Sequence, residues 1–141
     1  MTIREYRHGD FEGIMNLWLE TGLGRPERGD DEAVVELSLK MGGFLLVMTD
    51  DETGRITGTS WVTFDGRRLM LHHFGILPEF QGRGLSKDLL RETLACVKAR
   101  GIQVKLEVNR KNNVAINLYK KAGFEYLGDY DVYIIRDTGK L

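Results

Sequence analysis

The sequence has few of the features that would mark it as a secreted, membrane-bound or disordered protein. Its single cysteine, Cys96, excludes an internal disulfide and is typical of a reducing compartment. No apolar run reaches the length of a membrane-spanning helix, and the first residues lack a signal-peptide core. Internal repeats, low-complexity tracts and interdomain linkers are absent. We therefore expect a cytoplasmic protein without a membrane partner.

The charges leave no strong net field. The 20 basic and 21 acidic residues give a formal net charge of -1, so the excess positive charge of a general nucleic-acid binder is missing. With 42% hydrophobic residues, 141 residues can bury the core of one ordinary domain. We expect a single domain over residues 1–141 that binds no nucleic acid.

Apolar periodicity and turn residues predict the element order βααβββαβαββ. Three antiparallel strands in a row are expected at 44–48, at 56–64 and in the run that ends at Leu77. The helix closed by Gly101 should then cross over to a parallel strand at 102–108. Asp10 and either Asp30 or Asp31 stand where the first two helices need N-caps. Strands at 124–127 and 130–135 would close an α+β mixed sheet around the turn at Gly128.

A glycine-rich turn, Gln81 to Ser86, joins a strand-like run to a long amphipathic helix. Such a turn collects free backbone N–H groups at the positive end of a helix, where phosphate binds well. A Walker A loop is excluded by its glycine spacing, and a dinucleotide fingerprint is weak because Lys87 replaces the third glycine. In the pyrophosphate loop of acetyl-CoA enzymes, the three key positions correspond to Gln81, Gly84 and Ser86. Glycines that merely permit a tight turn are the alternative.

Two segments together resemble the GCN5-related N-acetyltransferase (GNAT) superfamily. Residues 76–84 are similar to its strand end and pyrophosphate loop, and residues 112–124 are similar to its second signature helix. Ser86 departs from the usual small apolar residue, but its N–H donor remains. The resemblance implies α/β/α layers and a mostly antiparallel sheet that is splayed at its middle. It also implies an acetyl-CoA-dependent transfer of an acetyl group to a primary amine.

The resemblance further implies a set of residues that bind the cosubstrate acetyl-CoA: Phe74, Gly75, Ile76, Gln81, Gly82, Arg83, Gly84, Leu85, Ser86, Asn112, Ala115 and Tyr119. Tyr119 matches the family tyrosine, whose phenol can protonate the leaving thiolate. A core-filling aromatic is the alternative for this residue. Asn112 also suits a helix N-cap.

The base that deprotonates the amine is less clearly marked. His72 lies at a position similar to the histidine of arylalkylamine acetyltransferases, and by strand parity it shares a face with Met70 and Phe74. His72 and His73 are adjacent, so they are expected on opposite faces of the strand, and no metal site is predicted. Glu107 and a water relay are the alternatives for the base.

The acceptor is not specified by the sequence. A small-molecule amine and a peptide N-terminus both remain open, and the loop at 23–29 and the turn at 128–130 are the segments expected to shape the acceptor side. The resemblance also implies a homodimer through an edge strand. A non-catalytic acyl-CoA sensor and an interaction scaffold are the rival functions, because fold alone does not fix function.

Overall fold

A computed structural model describes all residues from 1 to 141 as a five-stranded sheet with helices on both faces. Its strands are β1 Thr2–Glu5, β2 Phe44–Thr49, β3 Ile56–Phe64, β4 Leu69–Ile76 and β5 Val104–Leu106. Its helices are α1 Phe11–Thr21, α2 Glu32–Lys40, α3 Leu85–Arg100 and α4 Asn113–Ala122. Short 3-10 turns cover Pro26–Arg28, Pro78–Phe80 and Thr138–Lys140. None of the helices combines the length and apolarity that crossing a bilayer requires.

The strands follow one another in space in the order β1-β2-β3-β4-β5. The first three pairings are antiparallel, and β4 pairs with β5 in parallel after the α3 crossover. Side chains of β2 alternate between two hydrophobic clusters, one on each face of the sheet. One cluster includes Leu89, Leu90 and Tyr119 from α3 and α4, and the other includes Trp18 and Val35 from α1 and α2. The predicted layers and the mostly antiparallel mixed sheet are confirmed.

The two predicted closing strands are wrong for this structure. Residues 125–136 make no backbone–backbone hydrogen bond. Their large apolar side chains lie between 63% and 91% exposed: Tyr126, Leu127, Tyr130, Val132, Tyr133, Ile134 and Ile135. Alternating apolar residues indicate a good local fit to a strand, but a strand also needs an edge that supplies its hydrogen-bond partners. The neighbouring edge strand, β5, is only three residues long.

Asp10 stabilises the start of α1 in a way that differs from a standard cap. It is the residue before the helix, but its side chain makes no capping hydrogen bond. Instead, its two carboxylate oxygens accept hydrogen bonds from Arg4 at 2.8 and 2.9 Å, and the Arg7 N–H donates at 2.7 Å. Burial favours a higher pKa for Asp10, but these donors outweigh it and hold the pKa below its ordinary value.

We expect Asp10→Asn to lower the free energy of unfolding by about 1–3 kcal/mol at pH 7, since a hydrogen-bonded charge is lost. Because the folded state lowers the pKa of Asp10, its contribution is complete above the unfolded pKa of about 3.9. It disappears as the pH falls through the folded value. Urea unfolding of both proteins at pH 7 and pH 3 checks this, with the exposed Asp51→Asn as the control of small effect. A difference that persists unchanged at pH 3 would contradict the role of the carboxylate.

Candidate active site

The sheet opens between β4 and β5. Their parallel pairing ends at Leu71 and Leu106, although β4 continues to Ile76. From residue 72 to residue 76, β4 is therefore paired with β3 only, and its other edge has no strand partner. The opening that the family resemblance implied is present, and Phe74, Gly75 and Ile76 lie along it. An extended ligand can hydrogen-bond to such an edge as a further strand would.

The glycine-rich turn sits at the N-terminus of α3, next to the end of β4. Gly82 and Gly84 adopt φ angles of +80° and +75°, which glycine tolerates best. Gly84 precedes the helix and provides no side-chain cap. The first helical bond is from Asp88 N–H to the Gly84 carbonyl at 3.3 Å, and none of the six N–H groups from Gly82 to Lys87 donates a backbone hydrogen bond. Six unpaired donors at a positive helix end have the geometry that suits an anion.

Gln81 and Arg83 hold this turn in place. The Gln81 amide donates to the Ile76 carbonyl at 2.9 Å, which ties the turn to the end of β4. The Arg83 guanidinium lies 5.3 Å from the centre of the Phe80 ring and adds positive charge beside the turn. The negative charge of Asp88 in the first turn of α3 is paired with Arg91 at 3.2 Å. The surroundings of the free N–H groups therefore remain favourable for an anion.

A β-bulge lies in the middle of β4. Trp61 pairs with His72 and Thr59 pairs with Gly75, so His73 and Phe74 together lie opposite the single residue between them on β3. His73 has a φ angle of +45°, an unusual conformation for a non-glycine residue that costs about 1–2 kcal/mol. Strain of this size in a strand is characteristic of functional positions.

The bulge changes which way the histidines face. The rings of His72 and His73 both lie beside Trp61, at centroid distances of 5.8 and 5.1 Å. Phe74 lies on the other side, 6.0 Å from the ring of Tyr119. The expectation that the two histidines occupy opposite faces is wrong, and so is the expectation that His72 shares a face with Phe74. Both follow from strict alternation, which an extra residue interrupts.

His72 is partly buried, and its ring makes one side-chain hydrogen bond. Its Nε2 lies 2.8 Å from the Thr63 hydroxyl. Burial lowers the pKa of His72, and the charge of His73 lowers it further. Glu107, the alternative base, is an exposed residue just after the end of β5.

The second signature segment forms α4 as predicted. Asn112 caps this helix, its side-chain oxygen accepting a hydrogen bond from Ala115 N–H at 3.2 Å. Tyr119 is buried between Phe74 and Phe124, whose ring centroids lie 6.0 and 5.7 Å away. Burial raises the pKa of Tyr119 to about 12, so the phenol stays protonated at ordinary pH. Its hydroxyl makes no hydrogen bond within the protein. The structure thus places a protonated phenol ring beside Phe74 of β4.

One acidic residue of this region is missed by the sequence reasoning. Asp31 caps α2 by accepting from Val34 N–H at 2.9 Å, which leaves the adjacent Asp30 free to turn inward. Asp30 is buried, and one of its carboxylate oxygens lies 3.0 Å from Nε2 of His73. The only signal in the sequence was the pair of aspartates at one helix start. Which of them turns inward depends on the packing of the loop against β4.

Comparisons with known proteins agree with this architecture. The model of the acetyltransferase (GNAT) family matches residues 11–124. A GNAT-family acetyltransferase from Staphylococcus aureus superposes with a TM-score of 0.77 at 20% identity, covering 88% of this chain and 82% of that one. AAC(6')-Iy, solved with the bisubstrate analogue CoA-S-monomethyl-acetylneamine, gives a TM-score of 0.75 at 19% identity over 96% and 98% of the two chains. The ribosomal-protein-S18-alanine N-acetyltransferase from Escherichia coli gives 0.74 at 20% identity over 88% and 77%.

Proposed function

The chain belongs to the acetyltransferase (GNAT) family, and on that premise we propose that it transfers the acetyl group of acetyl-CoA directly to a primary amine. The observation that carries this proposal is the placement of six unpaired N–H groups, Gly82 to Lys87, beside the free edge of β4. The six N–H groups can hold a pyrophosphate, and the free edge of β4 can hold an amide-containing chain. Acetyl-CoA contains both groups.

The residues around the opening fit the parts of acetyl-CoA. We assign the pyrophosphate to the turn residues Gln81 to Ser86, with Arg83 as a source of positive charge. The pantetheine would lie along Phe74, Gly75 and Ile76, where β4 has no partner on one side. Asn112 and Ala115, at the start of α4, would border it across the opening.

The reaction makes three demands on these residues. The amine must lose a proton before it attacks the thioester carbon, the oxyanion must be stabilised, and the departing thiolate must be protonated. Backbone N–H groups of Phe74 to Ile76 are the candidate oxyanion donors. Tyr119 is the candidate acid, because its phenol is neutral, has no hydrogen-bond partner in the protein and contacts Phe74. The proton of the phenol would pass to sulfur as the C–S bond breaks.

Deprotonation is costly for some amines and cheap for others. An alkylamine with a pKa near ~10.4 costs about 4.6 kcal/mol to deprotonate at pH 7, whereas an α-amino group costs about 1 kcal/mol. His72 is the base predicted from the sequence, and its lowered pKa keeps it neutral and able to accept a proton at pH 7. Glu107 and a water relay remain the alternatives, although Glu107 is exposed at the end of a short strand.

Two of the structural neighbours illustrate the classes of acceptor that this fold serves. AAC(6')-Iy was solved with an acetylneamine analogue, and the S18-alanine enzyme is named for a protein substrate. A small-molecule amine and a peptide N-terminus are therefore the two acceptor classes that we propose. We also propose that the enzyme is a single domain, acts in the cytoplasm and forms a homodimer through an edge strand. We propose that it binds neither nucleic acid nor membrane, and the net charge of -1 supports the first of these two points.

The rival function is an acyl-CoA sensor that binds without turnover. A panel of primary amines assayed for CoA thiol release separates the two. We expect amine-dependent release with at least one class, above the rate of hydrolysis without amine. Micromolar acetyl-CoA binding without release for any amine would favour the sensor and contradict the enzyme.

A further inference from the structure

The loop between α1 and α2 lies over the bulge of β4. Two glycines make the close approach possible. A Cβ on Gly24 would lie 2.8 Å from the His73 ring, and a Cβ on Gly75 would lie 2.6 Å from Leu23. The loop thus contacts β4 at His73 and again at Gly75, beside the edge assigned to acetyl-CoA. This is one of the two segments that the sequence predicted to shape the acceptor side.

His73 is held firmly in its unusual conformation. Its carbonyl accepts a hydrogen bond from the Thr59 hydroxyl at 2.8 Å, and that hydroxyl accepts one from Trp18 Nε1 at 2.9 Å. The ring sits against Trp18 and Trp61, with centroids 4.6 and 5.1 Å away. The fold therefore fixes the imidazole between two aromatic walls.

Asp30 faces one nitrogen of this imidazole. Its Oδ1 lies 3.0 Å from Nε2 of His73, and Oδ2 accepts a hydrogen bond from Arg25 N–H at 2.9 Å. The Nε2–H does not point along the line to the carboxylate, so the contact has ion-pair distance without an aligned hydrogen bond. The Asp30 and His73 side chains are 11% and 16% exposed. Nδ1, the other ring nitrogen, is not among the fully buried unpaired atoms, and the hydrogen bond at His73 goes to its carbonyl and not to this nitrogen.

We propose that His73, with Asp30 as its charge partner, is the base that takes the proton of the acceptor, and that the acceptor is a primary alkylammonium. This inference rests on the proposed acetyltransferase function and places His73 ahead of His72 as the base. In the step, one N–H bond of the ammonium breaks and an Nδ1–H bond forms on His73. The amine nitrogen keeps the electron pair with which it attacks the thioester carbon. The proton then leaves His73 for solvent.

The charges around His73 suit that step. Asp30 from the loop and His72 from β4 are the titratable groups that face it. The neighbours from α1 and β3 are the uncharged Trp18, Thr59 and Trp61. A buried carboxylate at 3.0 Å stabilises the imidazolium that forms. Thr63 already holds the Nε2 of His72 at 2.8 Å, whereas Nδ1 of His73 is uncommitted.

The pair also explains the acceptor class. Deprotonation is the expensive step for an alkylammonium and a minor one for an α-amino group. His73 can take the proton that only the alkylammonium holds tightly at pH 7. The carboxylate of Asp30 balances the positive charge that the ring then gains. The acceptor side of the enzyme is therefore built for the more basic amine.

The test compares His73→Gln, Asp30→Asn, the rival-base variant His72→Gln and the control His8→Gln, whose histidine side chain is 89% exposed, in the pH dependence of kcat. The probes are acetyl-CoA with tyramine, 1,4-diaminobutane, neamine and an alanine-initiated hexapeptide. In the wild type, kcat with an alkylamine should fall on the acid side as the base becomes protonated. His73→Gln should remove this limb and lower kcat at pH 8 about tenfold, because some amine already reaches the site deprotonated. Asp30→Asn should lower kcat with the alkylamines at pH 8, whereas His8→Gln should keep both the limb and the wild-type kcat. Loss of the limb in His72→Gln and not in His73→Gln would favour the rival base.

Two further outcomes separate this inference from the proposed function. Imidazole nitrogen NMR of the wild type should show Nδ1 of His73 without a proton, and Asp30→Asn should raise the share of neutral rings that carry their proton on Nδ1. These readouts need no turnover. An unchanged limb in His73→Gln, an unchanged ring tautomer in Asp30→Asn, or transfer confined to the hexapeptide would overturn the inference and leave acetyl transfer intact. An absence of transfer to any probe, with the NMR results as expected, would overturn the proposed function instead.

Discussion

Replacing Gly84 with valine is expected to raise the Kd for acetyl-CoA about 100-fold in a protein that still folds. Gly84 has a φ angle of +75°, and a β-branched residue is strongly disfavoured there. Relief of that strain would turn the N–H groups of the turn away from a common point. Each charge-assisted hydrogen bond contributes about 1.5–3 kcal/mol, so losing one or two corresponds to about a 100-fold change. Isothermal titration calorimetry with acetyl-CoA measures the effect.

The control is Gly54→Val in the turn between β2 and β3. Gly54 has a φ angle of +72°, and neither Gly54 nor Gly84 has a neighbouring atom within 4 Å of the added Cβ. The two variants therefore carry a similar backbone strain, which thermal unfolding can verify. We expect Gly54→Val to bind acetyl-CoA as the wild type does. Equal affinity of all three proteins would show that the turn does not hold the pyrophosphate.

Tyr119→Phe is expected to lower kcat by about 10²–10³-fold with near-normal acetyl-CoA affinity, the range in which a general acid contributes. The ring contacts with Phe74 and Phe124 are kept, and only the hydroxyl is lost. Because the pKa of Tyr119 is about 12, the phenol is protonated throughout an assay between pH 6 and 9. The loss should therefore be of similar size at every pH, unlike the loss of a base. Steady-state kinetics and calorimetry check both quantities.

The matched control for this variant is Tyr126→Phe. Tyr126 is 78% exposed. Its replacement by phenylalanine removes the same hydroxyl group, but at a position away from the buried face of α4. Its kcat should stay at the wild-type value. Unchanged turnover in Tyr119→Phe would remove the acid role and leave Tyr119 as a core residue, whereas an equal loss of acetyl-CoA affinity would make it a binding residue.

The parts of the site that depend on local sequence could be predicted. The turn at Gln81 to Ser86 and the capped helix at Asn112 follow from residue types a few positions apart, and both formed as expected. The bulge could not be predicted, because it depends on how β4 aligns with β3 at Thr59 and Trp61. A prediction without the bulge therefore places His72 and His73 on opposite faces of the strand.

The role of Asp30 depended on tertiary packing in the same way. Two adjacent aspartates could each cap α2, and the approach of Gly24 to His73 decides which one turns inward. The closing strands show the converse error. Residues 124–135 have strand-like alternation, but in this structure no edge pairs with them. Alternating apolar residues indicate a tendency to form a strand, and a partner strand with free hydrogen-bonding groups decides whether the strand forms.

We propose that one opening, between β4 and β5, holds acetyl-CoA from pyrophosphate to thioester. A crystal structure of the chain with acetyl-CoA would show whether it does. We expect the pyrophosphate within hydrogen-bond distance of the N–H groups of Gly82 to Lys87, and the thioester between Phe74 and Tyr119. Acetyl-CoA bound elsewhere, with these N–H groups unpaired, would contradict it.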